Sequence, residues 1–187
     1  MERLRDLGYS SVITNALTAA DSLPFVDAGF RVRERLHLLA HDMSDLPERT
    51  ASTRRARRRD RSTVLEVDTA AFDPFWRLDA SGLDDALAAT PVSRFRTLWD
   101  NGNLTAYAIA GRAGRQGYIQ RIAVDPARRR RGLGSAAVAD ALAWLARRGA
   151  KRTVVNTQES NVGAVRLYER CGFTLLPVGL SVLARDL

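Results

Sequence analysis

The residues best placed to do chemistry form a turn rich in arginine and glycine. It reads Arg-Arg-Arg-Arg-Gly-Leu-Gly-Ser over 128–135, between a predicted strand ending at Val124 and a predicted helix over 133–148. Glycines let backbone N–H groups converge on one point, and a helix N-terminus adds the positive end of its dipole. With arginines as countercharge, such a turn can hold a pyrophosphate group. The alternative is a solvated turn before an ordinary helix.

Two other phosphate-binding motifs fit this turn poorly. Gly132-x-Gly134-x-x-Ala137 matches the dinucleotide fingerprint, but that motif needs the strand to run almost directly into its first glycine. Here the residues 125–131 intervene, and most of them are charged. A P-loop requires Gly-x-x-x-x-Gly-Lys-Ser/Thr, which the sequence lacks.

The elements that must position this turn follow an α/β order. Apolar and β-branched patterns predict strands over 92–99, 104–110, 117–124 and 152–157, helices over 81–89, 133–148 and 161–171, and two closing strands. Val64 to Val67 is expected to be a short strand, and Asp68 could cap a helix that runs through Phe72.

Two segments resemble each other and indicate an internal repeat. The segment 8–43 matches 149–187 at points that keep the same order, such as Gly29-Phe30 with Gly172-Phe173. Each copy predicts strand, helix, strand, strand; chance similarity of short apolar stretches is the alternative. We therefore expect a partial, degenerate domain over 1–43, an arginine-rich linker over 44–62, and a complete domain over 63–187.

The composition argues against several classes of protein. A single cysteine, Cys171, allows no intrachain disulfide and no cysteine-based metal site. His37 and His41 lie four residues apart on a predicted strand with no third ligand nearby, so no metal site is expected. No apolar run approaches a membrane span, and no signal-peptide pattern opens the chain. The expectation is a cytoplasmic protein without membrane attachment.

The positive charge is unevenly distributed. The net charge is +8, and residues 49–61 alone hold seven arginines and one aspartate. Such a stretch could bind the phosphates of a nucleic acid, but it lacks the interleaved aromatic residues that stack on bases. A solvated tether is the favoured interpretation, and nucleic acid is not an expected partner.

Two motifs together resemble the GNAT superfamily of acyl-CoA-dependent acetyltransferases. Arg129-x-x-Gly132-x-Gly134, after a strand, is similar to the family's CoA-binding motif, and the segment 161–173, Asn-x-x-Ala-x-x-Leu-Tyr-Glu-x-x-Gly-Phe, resembles its second signature. The resemblance covers about 63–187. It implies an α/β fold with a mixed central sheet, a splayed strand pair and helices on both faces. A partial GNAT-like strand-helix-strand-strand segment would precede that domain.

The resemblance also implies a set of site residues. Acetyl-CoA would be the cosubstrate, and its arm and pyrophosphate would contact Ile122, Ala123, Val124, Arg129, Arg130, Arg131, Gly132, Leu133, Gly134, Ser135 and Asn161. Tyr168 would act as general acid toward the leaving CoA thiolate; packing on the sheet is the alternative role. The acceptor would be an amine of a small molecule or a protein, contacted by Trp76, Asp79, Gln120 and Asn156. For the aromatic segment 72–79, anchoring the first helix in the core is the alternative role.

The sequence departs from the family where a general base is expected. Many members that act on N-terminal amines carry a glutamate twelve residues before the tyrosine, and this chain has Asn156 there. Glu66, Asp68 and Glu159 are candidate substitutes, and the spacing selects none of them. The interpretation is an N-acetyltransferase with direct attack by the amine; the alternative is a weak or inactive acyl-CoA-binding or scaffold protein.

The first copy of the repeat departs further from the family. Phe25 stands where the second copy has Tyr168. Residues 1–43 are therefore not expected to bind CoA, and would instead extend the sheet or pair with another chain as in a homodimer.

Overall fold

The computed structural model describes residues 2–187, which fall into two compact units. The first unit comprises 2–39, 156–165 and 175–187, and the second comprises 40–155 and 166–174. The strands are β1 (Ser11–Ile13), β2 (Arg31–His41), β3 (Arg54–Arg55), β4 (Val92–Asp100), β5 (Asn103–Ala113), β6 (Gln116–Val124), β7 (Arg152–Gln158), β8 (Thr174–Leu175) and β9 (Leu180–Asp186). The α-helices are α1 (Glu2–Asp6), α2 (Ala19–Asp27), α3 (Arg61–Ala71), α4 (Ala80–Ala88), α5 (Leu133–Arg147) and α6 (Val162–Arg170).

The second unit contains a mixed sheet in the order β7-β6-β5-β4-β3. Strands β3 to β6 pair antiparallel with their neighbours, and β6 pairs parallel with β7. Successive residues of the buried strand β5 point to opposite faces. Tyr107 and Ile109 pack with α3 and α4 on one face, and Ala106 and Ala108 pack with α5 on the other. The expected mixed sheet with helices on both faces is confirmed.

Small residues explain how closely α5 approaches the sheet. Ala136 and Ala137 of the helix are buried against Ala106 and Ala108 of β5, with Leu98 beside them. Alanine on both sides leaves little side-chain bulk between helix and strand backbones. The chain segment that enters α5 is therefore held firmly at the end of β6.

The first unit is a small antiparallel arrangement. Strand β9 pairs with β1, where Ser11 is opposite Asp186, and with β2, where Leu36 is opposite Leu180. Thr18 caps α2 by accepting a hydrogen bond from the Asp21 N–H. The N-terminal segment expected as strand, helix, strand, strand forms one continuous strand after its helix, Arg31–His41, so the prediction of two strands there is wrong.

Two further sequence predictions need correction. Val64 to Val67 lies inside α3 rather than in a strand, because Val64, Val67 and Asp68 recur at the helical spacing and are buried. Asp68 therefore sits in the middle of the helix and does not cap it. Within the predicted linker 44–62, Arg54 and Arg55 pair with Thr97 and Arg96 of β4, so this part is an ordered sheet edge rather than a tether.

Within residues 2–187, no helix combines the length and apolar character that crossing a membrane requires.

Candidate active site

The turn between β6 and α5 has an unusual backbone. The Asp125 carboxylate accepts a hydrogen bond of 3.0 Å from the Ala127 N–H and starts a short 3-10 helix, Pro126–Arg128. Arg130 and Gly132 then adopt left-handed conformations, with φ of 61° and 79°. Helix α5 begins directly after Gly132, which supplies no side-chain cap. The first amides of α5 therefore lack intrahelical acceptors, and they can bind an anion.

Gly134 allows another helix to approach the start of α5. A Cβ atom on Gly134 would lie 3.0 Å from Leu167 Cδ2 of α6 and 3.8 Å from Val124 Cγ2 of β6. A larger residue would push Leu167 away from the end of β6. At Gly132, by contrast, a Cβ atom would meet nothing within 4 Å. The space above this glycine is open, as a site for a bound group requires.

Strand β6 is only partly paired along the edge that β7 occupies. The parallel ladder covers Gln116 to Tyr118 and Arg152 to Val154 and stops there, although β6 continues to Val124. A register shift near Ile109 and Ala110 of β5 lies close to the same point of β6. Backbone groups between 119 and 124 are thus left without partners from β7, and they can bond to an extended ligand.

The predicted cofactor residues at the end of β6 are packed on both faces. Ala123 is buried with the α3 and α4 cluster, whereas Ile122 and Val124 pack on the α5 side. Their side chains thus fix the strand, and their backbones form the edge.

The arginines of the turn have different partners. Arg128 donates to Asp100 at 3.0 Å, and Arg129 donates to the Ala71 carbonyl at 3.1 Å. Arg131 lies 4.0 Å from Asp100 and is largely exposed. Arg130 is exposed and makes no ion pair within residues 2–187. Arg130 and Arg131 are therefore the cations most available to a ligand, while Arg129 is held against α3.

Tyr168 lies on α6 with only 6% of its surface exposed. Its ring centroid is 5.6 Å from that of Phe173. Burial raises the pKa of Tyr168, Cys171 adds to the rise, and Arg121 opposes it. The phenol therefore keeps its proton at neutral pH, as a proton donor must.

Cys171 is buried next to these groups. Burial raises the pKa of its thiol, against smaller opposing effects of a hydrogen bond to Ser135 and of Arg170. A thiol kept neutral in this way is a poor nucleophile. The Cys171 side chain is only 3% exposed, as expected for a small apolar group in a packed interior.

Asp68 is the centre of a buried polar network. Arg121 donates to both of its oxygens, from Nε at 2.8 Å and from Nη2 at 2.9 Å. The Leu78 N–H donates to Oδ1 at 2.7 Å, and the Tyr107 hydroxyl donates to Oδ2. With four donors and no exposed surface, Asp68 is not available as a general base. Of the three candidate bases, Asp68 is excluded, and Glu66 and Glu159 remain.

Arg121 also fixes the segment in which acceptor contacts were predicted. Its Nη2 donates to the Trp76 carbonyl, and its guanidinium stacks on Phe72 at 3.6 Å from the ring centroid. The loop 72–78 is thereby tied to β6. No sequence motif points to this role of Arg121. The one available signal is its partner Asp68, a carboxylate at the helical spacing of the buried residues Val64 and Val67.

The predicted acceptor residues lie in different settings. Trp76 is half-buried with its ring 5.0 Å from that of Phe75. The Asp79 carboxylate accepts from the Gly82 N–H at 2.7 Å and so caps α4. Gln120 donates to Thr90 Oγ1 at 3.3 Å, and its buried Oε1 has no hydrogen-bond partner in the described part of the chain.

Four further predicted residues are exposed. Asn156 lies on β7, and Asn161 accepts from the Ala164 N–H at 3.1 Å where α6 begins. Glu159 is exposed in the first unit. Glu66 is exposed on α3, in a shallow depression lined by Ser62, Leu65, Glu66, Thr69 and Ala70.

Comparisons with known proteins agree with this geometry. Residues 56–173 match the model of the Acetyltransferase (GNAT) family. Mycothiol acetyltransferase of Thermobispora bispora is 42% identical over 64 residues, which are 34% of this chain and 22% of that protein. The ribosomal protein bS18 alanine N-acetyltransferase of Escherichia coli is 36% identical over 76 residues, 41% of this chain and 51% of that protein.

A solved structure supports the same fold. The crystal structure of a GNAT-family acetyltransferase from Novosphingobium aromaticivorans has a TM-score of 0.70 at 22% identity. The match covers 95% of this chain and 74% of that one. The chain thus spans about half or less of the two curated relatives, and the likeness to the solved structure concerns the fold. Because the family model matches more than half of its residues, the protein belongs to the GNAT acetyltransferase family.

Proposed function

We propose that this protein is an acetyl-CoA-dependent N-acetyltransferase that passes the acetyl group directly to an amine. The observation that carries the proposal is the unpaired edge of β6 leading into the left-handed turn at Arg130 and Gly132. The part of β6 without partners from β7 suits an amide-containing arm, and the first backbone amides of α5 suit a pyrophosphate. The proposed setting is the cytoplasm.

The residues present fit this cosubstrate. Backbone groups of Ile122 to Val124 would hold the arm, and the amides of Gly132 to Ser135 would hold the pyrophosphate with Arg130 and Arg131 as countercharge. The open space above Gly132 supports this assignment. Bound acetyl-CoA supplies an activated acyl carbon as a thioester.

Tyr168 is proposed as the proton donor to the departing thiolate sulfur. The amine nitrogen forms a bond to the acyl carbon as the carbon–sulfur bond breaks, and the sulfur takes the phenol proton. The buried, protonated state of Tyr168 supports this role. The neutral thiol of Cys171 supports direct attack by the amine rather than a covalent cysteine step.

The amine must lose a proton before or during attack, because an ordinary alkylammonium is mostly protonated at neutral pH. The Asp68 carboxylate already accepts hydrogen bonds from Arg121 and Tyr107, so it is not proposed as the base. Glu66 and Glu159 are exposed carboxylates, and both stay candidate bases. Trp76 of the loop 72–78, the adjoining Asp79 and Gln120 are proposed to contact the acceptor. For Asn156, in the first unit, acceptor contact stays a prediction from the sequence.

The test is thiol release from acetyl-CoA over a panel of amines. The panel contains an amino sugar, a peptide that begins with alanine, a lysine side-chain peptide and an aminoglycoside. We expect one class to raise thiol release at least about a hundredfold above the rate without amine. Tyr168→Phe should lower kcat about 10²- to 10³-fold with unchanged acetyl-CoA affinity.

A matched control is Tyr9→Phe, because Tyr9 is 59% exposed in the first unit. It should leave kcat unchanged. Acetyl-CoA binding without thiol release for every amine would contradict the proposal and favour a binding or scaffold role. Full activity of Tyr168→Phe would remove the acid assignment alone. A homodimer, which the N-terminal segment could form, would be tested by sedimentation.

A further inference from the structure

One buried carboxylate in the second unit is surrounded by more arginines than it can neutralise. Asp140 on α5 is 1% exposed. Arg94 Nη2 lies 2.7 Å and 3.1 Å from its two oxygens, and Arg49 Nη2 lies 2.9 Å from Oδ1. Arg96 Nε lies 4.0 Å from Oδ2. Three guanidinium groups therefore share one negative charge.

Two more arginines face the same place. Arg55 of β3 is directly opposite Arg96 of β4, so the two side chains stand on the same face of the sheet. Arg147 follows Asp140 by two turns of α5 and so lies on the same helix face. Burial lowers the pKa of Arg94, Asp140 opposes this, and Arg96, Arg147 and Arg49 lower it further. The cluster thus contains five arginines and one aspartate.

Few of these charges are satisfied inside the protein. Arg96 donates to Thr53 Oγ1 at 2.9 Å and to the Thr53 carbonyl, which orients it without neutralising it. Arg55 and Arg147 are exposed and make no ion pair within residues 2–187. Glu48, next to Arg49 in the chain, is likewise exposed and makes none there. The formal excess in the cluster is four positive charges.

This excess has a physical cost. Like charges directly opposite each other on neighbouring strands destabilise a sheet. Arg94 and Arg96 are only 16% and 24% exposed, so solvent and salt screen them less than surface groups. A bound anion would remove the repulsion, and the planar guanidinium group favours bidentate contacts to phosphate oxygens.

We propose that Arg49, Arg55, Arg94, Arg96 and Arg147 form a binding site for a phosphate-class oxyanion that carries at least two negative charges. The site is separate from the turn at 125–135. Asp140 follows Leu133 by seven residues, about 10 Å along α5, and Arg147 lies about 20 Å along it. The proposal does not depend on the acetyltransferase function.

The test is thermal unfolding in chloride buffer, with inorganic phosphate or pyrophosphate added at constant ionic strength. A ligand at a hundredfold excess over its Kd should raise Tm by about 5–10 °C in a protein of this size. Sodium chloride at the same ionic strength should produce a much smaller shift. An equal shift in chloride would mean general screening, and it would overturn the proposal.

Arg55→Ser provides the decisive variant, because Arg55 is exposed and unpaired and its loss should not disturb the fold. Without added anion its Tm should be above that of the wild type, since a repulsive charge is removed. Its apparent Kd for phosphate should be at least about tenfold weaker, as expected for losing a charge-assisted hydrogen bond. Arg55→Glu should raise Tm further and abolish the phosphate response.

Two variants with the same change of charge serve as controls. Arg115→Ser, in the exposed turn after β5, should keep the full response. Arg130→Ser should keep most of the rise in Tm that phosphate produces in the wild type. If Arg130→Ser abolished the response and Arg55→Ser did not, the anion would bind at the turn, and the proposed site would be wrong.

The source of the phosphate is distinguished by a labelled single-stranded RNA. Two results together would identify a phosphodiester backbone as the ligand. Pyrophosphate should displace the RNA, and the slope of the logarithm of the RNA binding constant against the logarithm of the salt concentration should be smaller in magnitude by about 0.7 in Arg55→Ser than in the wild type. Phosphate binding without RNA binding would support the site with a free anion as its ligand. Absence of both would refute it.

Discussion

Replacing Asp68 by asparagine should strongly destabilise the protein. Asp68 is fully buried, and Arg121, which binds both of its oxygens, is 12% exposed. The amide of asparagine would remove the negative charge and present an N–H group to donors that already point at this position. Breaking a buried ion pair from one side costs about 3–5 kcal/mol. At about 2–4 °C per kcal/mol for a chain of this size, Tm should fall by about 6–20 °C.

The assay is a double-mutant cycle by thermal and urea unfolding. Asp68→Asn and Arg121→Gln are measured singly and together. The coupling energy should be at least about 1–3 kcal/mol, because each single variant leaves the other partner buried without its charge partner. Asp84→Asn is the matched control, since the Asp84 side chain is 66% exposed in its pair with Arg61. That change should cost about 0–1 kcal/mol.

Two results would refute this reasoning. One is a loss in Asp68→Asn no larger than in Asp84→Asn. The other is additivity of the two single variants, which would mean that Arg121 contributes only through its stacking on Phe72 and its hydrogen bond to the Trp76 carbonyl.

Two further predictions concern other sites. Burial lowers the pKa of His41, against opposing effects of Asp42 and Asp45, and His41 Nδ1 accepts a hydrogen bond from the Met43 N–H. Below pH 6.5, the ordinary pKa of histidine, His41 binds a proton more readily in the unfolded chain than in the folded one, so the folded state should lose stability as the pH is lowered. The slope of Tm against pH between pH 7 and pH 5 should therefore be smaller in His41→Asn than in the wild type. An unchanged slope would contradict this. Gly132→Ala should cost about 1–2 kcal/mol of stability from its left-handed backbone alone and should also raise KM for acetyl-CoA. Gly8→Ala has the same backbone constraint and the same open surroundings, so it should show the stability loss without the KM effect; equal KM values in both variants would count against the turn as a binding site.

Signals between residues close in the chain predicted much of the fold. The pattern predicts a helix over 133–148, within one residue of α5, because its apolar face and the glycine that follows it are local features. The helix that carries Tyr168 is predicted over 161–171, and it spans Val162–Arg170. Val64 to Val67 was misassigned because a run of four apolar and β-branched residues is ambiguous between strand and helix.

Local patterns in the sequence predicted the strands β4 to β7, the glycine-rich turn at the start of α5 and the place of Tyr168 on α6. The tertiary structure alone pairs the buried charges: Asp68 with Arg121, 53 residues away, and Asp140 with Arg94, 46 residues away. It also decided that Arg54 and Arg55 form a sheet edge. The physical reason is that turn and helix preferences are local, whereas the partner of a buried charge depends on which distant groups share its low-dielectric surroundings.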